Sequence, residues 1–98
     1  MHLAGTPVSF MANVHCAAAT QNFMALEHHS VDLDYWEDLV ETEHTMIEKG
    51  FAPVPNTPGL GVELNDDVVK QHLDQENDQY FEPTPEWDQD RSWDRLWS

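Results

Sequence analysis

Few residues in this sequence combine reactive types with a useful spacing. His2 and Glu27 stand 25 residues apart, and Glu27 opens the run Glu27-His28-His29. Imidazole moves protons near neutral pH, and carboxylates serve as acids, bases or hydrogen-bond partners. Histidine and carboxylate together also suit zinc and other divalent ions. Adjacent side chains on a strand point to opposite faces, however, so Glu27, His28 and His29 do not converge as a trio. No metal ligand is therefore assigned, and His28 and His29 read as loop residues at a cavity mouth or packed beneath neighbouring structure. His15 reads as a satisfied or surface histidine on a helix, while His44 and His72 carry no signal. The single Cys16 has no internal disulfide partner, which fits a reducing cytoplasm, and its small apolar neighbours predict a buried thiol. There is no Ser-His-Asp arrangement, glycine-rich phosphate loop or zinc-ligand spacing.

The elements that must position these side chains follow from local pattern. Thr6-Pro7 is a helix start, a hydroxyl at the cap and proline at the first helical position. Val8, Met11, His15 and Ala18 then line one face, and Phe10, Val14 and Ala17 an adjoining one, so the helix is expected to bury more than one side and to end near Thr20. After Gln21-Asn22, the apolar run Phe23-Met24-Ala25-Leu26 predicts a strand buried on both faces, as in parallel sheets. A helix followed by such a strand is half of a β-α-β unit. With a strand before His2, residues 2–6 form the loop leaving its C-terminal end, and Glu27 ends the next parallel strand. That sheet edge is where α/β folds place active sites, so His2 and Glu27 are expected to face one cavity.

Beyond Ser30 the character changes. The pattern predicts a short helix capped near Asp34 and containing Trp36, Leu39 and Val40, then a helical stretch around Met46-Ile47 closed by Gly50. Pro53, Pro55, Pro58, Gly59 and Gly61 make a turn-rich connector. Val62-Glu63-Leu64 alternates like a strand, and Asn65 caps a helix with Asp66 and Asp67 in its first turn. The tail from Tyr80 to Ser98 is acidic and Trp-rich, with Trp93 and Trp97 on one face if helical.

Composition sets the outer bounds. The 98 residues carry 4 Lys+Arg against 19 Asp+Glu, a net charge of −15. That balance excludes nucleic acid and anionic membranes as partners. Residues 1–26 contain no charged side chain, so all 23 fall in the remaining 72 positions. The uncharged stretch is broken by Pro7, Asn13, His15, Gln21 and Asn22, which argues against a spanning helix, and no positive charge precedes it as in a signal peptide.

Taken alone, a histidine beside the chain end is frayed by default, and Glu27 is an ordinary exposed strand-end carboxylate. The order of the pieces says more. His2, the helix from Pro7 to Thr20, the strand ending in Glu27 and the later segment Pro58-Gly59-Leu60-Gly61-Val62-Glu63 together resemble the C-terminal end of an enolase-superfamily enzyme. The closest likeness is to the mandelate racemase/muconate lactonizing enzyme family, and within it to galactonate-dehydratase-like acid-sugar dehydratases. The stretch Asp66–Leu73 resembles the helix that follows in that family.

The resemblance implies an α/β fold: a C-terminal slice of a modified TIM (β/α) barrel, with its last helix and strand, plus the C-terminal part of an α+β capping domain. Residues 1–30 would be the end of the barrel, and 31–98 the final helices, connector and capping segment. The N-terminal cap and about six barrel strands would precede, making Met1 an internal methionine or the edge of an incomplete gene, in a longer cytoplasmic, homo-oligomeric parent. In such dehydratases the proton next to a substrate carboxylate is removed, magnesium holds the enediolate, and a general acid helps expel the β-hydroxyl. His2 matches the histidine that moves protons, in partnership with an aspartate that would lie before residue 1. Glu27 matches the acid that hydrogen-bonds the substrate carboxylate or enolate, a donor role that requires a raised pKa. The magnesium ligands and the remaining base would also lie outside this sequence, so the chain alone is expected to be inactive. Racemase and cycloisomerase are the alternatives within the superfamily. A free-standing acidic binding module is the alternative outside it.

Overall fold

The computed structural model describes residues 1–76, 80 and 81. The predicted Trp93–Trp97 face and the tail from residue 82 lie outside the described residues.

A β-α-β unit opens the chain. Strand β1 is His2–Leu3, helix α1 is Pro7–Ala18 and strand β2 is Glu27–His28. The strands pair in parallel, His2 opposite Glu27 and Leu3 opposite His28. Helix α1 begins as expected: Pro7 takes the first position and Thr6 Oγ1 accepts the Ser9 N–H at 3.5 Å. Its C-terminus lacks a glycine stop; Ala19 and Thr20 turn back instead, with the Thr20 hydroxyl donating to the Cys16 carbonyl at 2.8 Å. The helix buries one stripe rather than several sides, made of Pro7, Phe10, Met11 and Val14. That i, i+3, i+4, i+7 spacing is a single helical face. Cys16 falls outside it and is exposed, contrary to the expected buried thiol.

The strand position also differs from expectation. Phe23 to Leu26 are not a strand; Phe23 is 41% and Met24 95% exposed. The ladder instead begins where β1 supplies partners: the Glu27 N–H donates to the Met1 carbonyl at 2.9 Å and the His29 N–H to the Leu3 carbonyl at 3.3 Å. In this register the Met1 amino group donates to the Ala25 carbonyl at 2.8 Å, and Glu27 is the first residue of β2. His2 accordingly lies in a strand, not in the loop after one.

The second region folds over α1. Trp36 leads into a 3₁₀ turn at Glu37–Leu39 in place of the expected helix, and Val40 already belongs to strand β3, Val40–Glu41. Around Met46-Ile47 there is no helix either. Glu48 and Phe51 bridge across Lys49-Gly50, whose φ values of 52° and 81° make a tight hairpin-like turn. Strand β4, Glu63–Leu64, pairs antiparallel with β3, and helix α2, Asp66–Gln71, follows with the Asn65 side chain accepting the Val68 N–H at 3.4 Å. Both elements match the sequence reading.

One core joins the two regions. Leu3, Phe10, Met11 and Val14 come from the β-α-β unit, and Trp36, Val40 and Met46 from the second region. Trp36 meets Phe10 edge-on at 5.6 Å between centroids, and its indole N–H donates to the Gly5 carbonyl at 2.8 Å. That bond lets the indole be buried without an orphaned donor. Among the described residues, no helix is long and apolar enough to cross a membrane.

Candidate active site

Strand pairing, not a loop, brings the two singled-out residues together. In the parallel register His2 and Glu27 are direct neighbours, and His2 Nδ1 lies 2.9 Å from Glu27 Oε2. An ionised carboxylate only accepts, so Nδ1 carries the proton of this bond. When the ring is neutral, Nε2 keeps its lone pair and is the atom able to take a proton from another group; when it is protonated, the ring carries a positive charge beside Glu27.

In this chain the electrostatics lower the pKa of the Glu27 carboxyl. Glu27 is held below the ordinary carboxylate value of 4.5, first by the hydrogen bond from His2 and then by the charge of that ring. Burial pushes weakly the other way, and His29 and the chain's amino terminus lower it slightly further. Exposure leaves the two His2 effects almost unopposed. The two side chains are 65% and 70% exposed, so water stabilises the ionised form and little desolvation acts against it.

Alternation along β2 sorts its histidines. His28 points away from Glu27 into the core, its ring 4.6 Å from Trp36 and 5.4 Å from Phe10. His29 returns to the Glu27 side, its ring 4.7 Å from His2. One ligand atom from each of His2, Glu27 and His29 falls within 4.8 Å of the others. The expectation that Glu27, His28 and His29 do not converge therefore holds, but His29 belongs with His2 and Glu27. The period-two rule carried that signal, since residues 27 and 29 share a face. His15 is satisfied, its Nε2 lying 3.2 Å from the Leu60 carbonyl. His72 stacks on Tyr35 at 3.9 Å. A cleft of about 310 Å³ lies elsewhere, between Met11, Met46 and the connector, and none of the three clustered residues lines it.

The structure thus sets a histidine–carboxylate pair on adjacent parallel strands, with a helix crossing between them. Its chain segment is diagnostic: residues 1–68 match the family described as Enolase C-terminal domain-like. The chain belongs to that family, as part of an enolase-superfamily enzyme of the mandelate racemase/muconate lactonizing type.

Particular relatives sharpen this. Over 73 residues, 74% of this chain, it is 45% identical to the D-xylonate dehydratase of Haloferax volcanii. Over 39 residues, 40% of the chain, it is 38% identical to the o-succinylbenzoate synthase of Bacillus subtilis. The fold superposes on a mandelate racemase/muconate lactonizing enzyme-like protein from Rubrobacter xylanophilus with a TM-score of 0.73, at 34% identity over 78% of this chain. The chain spans 18% and 10% of the two curated relatives and 20% of the solved one.

The enolase superfamily is typically magnesium-dependent. Magnesium takes six oxygen ligands and retains several waters. His2, Glu27 and His29 offer two imidazoles and one carboxylate, so this cluster does not fit that ion.

Proposed function

We propose that this chain is the C-terminal part of an acid-sugar dehydratase, contributing the last helix and strand of a (β/α) barrel and part of its cap. Residues 1–30 are the barrel end, and 31–98 the final turns, connector and capping segment. The observation that carries the proposal is the parallel register placing His2 directly against Glu27. The 45% identity to a D-xylonate dehydratase supports the reaction class.

In this reading the parent removes the proton next to a sugar acid's carboxylate and eliminates the neighbouring hydroxyl as water. His2 transfers protons in partnership with an aspartate that the parent supplies from before residue 1, while in this chain Glu27 lies against His2 Nδ1. Glu27 is the second catalytic residue, facing the substrate carboxylate. Its donor role requires the closed, dry cavity of the whole enzyme, because the exposed pair keeps it ionised. Magnesium ligands and the remaining base come from other strands of the parent, so residues 1–98 alone are inactive. The parent is a cytoplasmic homo-oligomer acting on a small-molecule sugar acid, with no nucleic-acid or membrane partner.

A chimera tests this. Residues 1–73 replace the matching segment of the Haloferax enzyme, and a panel of sugar acids is assayed for dehydration with magnesium present. Dehydration of at least one sugar acid is expected. Racemisation or cycloisomerisation without water loss would move the assignment elsewhere in the superfamily. A folded but inert chimera, beside a monomeric, cooperatively melting 98-residue chain, would favour the acidic binding module.

A further inference from the structure

We infer that His2, Glu27 and His29 form a binding site for a borderline transition-metal ion of the zinc type. The strand register supplies the argument. β1 places His2 beside Glu27, and the two-residue repeat of β2 returns His29 to the same face. The three donor atoms lie within 4.8 Å of one another, with His2 Nδ1 and Glu27 Oε2 already at 2.9 Å. Metal–donor distances of about 2.0–2.2 Å put neighbouring ligands of a tetrahedral shell about 3.3 Å apart. All three side chains are exposed, so side-chain rotation alone can close the remaining gap without disturbing the core.

Donor chemistry selects the ion. Two imidazoles and one carboxylate suit zinc, cobalt, nickel or copper and leave a fourth position open, whereas magnesium favours an all-oxygen shell. The chain's charge of −15 further concentrates cations around it. His28 takes no part, because its ring is packed against Trp36 and Phe10. A metal held here occupies His2 and withdraws it from proton transfer.

The test uses the full 98-residue chain, titrated with zinc chloride by calorimetry and with cobalt chloride by visible absorption. One equivalent is expected to bind, with a tetrahedral cobalt spectrum and no displacement by millimolar magnesium. His2→Ala, His29→Ala and the isosteric Glu27→Gln should each weaken binding by about tenfold or more. His44→Ala, at an exposed histidine away from the cluster, should leave binding unchanged, and circular dichroism should show α1 intact throughout. No zinc uptake, binding that survives His29→Ala, or binding abolished by His44→Ala would each overturn the site. No substrate enters the measurement, so its outcome is independent of the dehydratase assignment.

Discussion

The β-α-β unit of residues 2–30 and the region from Trp36 to Gln71 divide the labour unequally. The first carries the candidate site on few charges: its strands meet at His2 and Glu27, and its helix holds no Asp, Glu, Lys or Arg. The second is strongly acidic and contributes no residue to that cluster. It even places Glu41 opposite Glu63 across β3 and β4, a like-charge pairing that an exposed ladder tolerates at some cost. Its contribution is apolar, since Trp36, Val40 and Met46 cover the buried stripe of α1. The comparison teaches that the unit bearing the candidate site shares its core with a region that adds no residue to the His2–Glu27–His29 cluster. It also shows where covering is absent: Phe23, Met24, Val31 and Phe51 remain exposed.

The largest test of that dependence is Trp36→Ala. It removes the contacts to Phe10 and His28 and the bond to the Gly5 carbonyl, which then keeps only the Ser30 hydroxyl at 3.4 Å. A loss of about 3–5 kcal/mol is expected, read as a lowered urea midpoint for the α1 circular-dichroism signal. An unchanged midpoint would mean that the first unit stands without its cover.

A smaller effect is expected within the second region. Gly61 has φ of 78°, and a Cβ there would sit 2.5 Å from the Pro55 Cβ, whereas Gly59, at φ of 76°, has open space around it. Gly61→Ala should cost about 1–3 kcal/mol, against about 1 kcal/mol for Gly59→Ala, in the same unfolding assay. Equal costs would show that the Pro55 approach does not hold the connector.

The smallest effect concerns the site itself. Because Glu27 titrates below 4.5 when paired, its contribution is complete above that value and is lost as pH falls through the lower, folded one. Carboxyl NMR should show a midpoint below 4.5 that returns toward 4.5 in His2→Ala. A native midpoint above 4.5 would mean that burial, not the His2 bond, governs this carboxyl.

Much of the site was legible because local rules fixed it. Thr6-Pro7 started α1, the helix and following apolar run implied a β-α-β unit, and that unit brought residues 2 and 27 together. Asn65 and the alternation at residues 62–64 located α2 and β4. What escaped depended on partners. The apolar run at 23–26 has strand composition, but pairing followed β1 and began at Glu27. Trp36 and Met46 have helical spacing around them, yet their burial against α1 favoured a 3₁₀ turn and a hairpin-like turn. Cys16 looked interior from its neighbours, but the second region covers only one stripe of the helix. The lowered carboxyl of Glu27 reflects the hydrogen bond and charge of the His2 ring, a side-chain contact that the sequence placed nearby without fixing its geometry.

The central claim is that His2 and Glu27 are a catalytic pair, and kinetics of the Haloferax chimera test it most directly. His2→Asn keeps the size and polarity of the side chain but cannot move a proton. The account predicts that kcat for dehydration falls by about 10²–10⁴-fold while KM changes little. A chimera that dehydrates its substrate at the parental rate with asparagine at this position would contradict it.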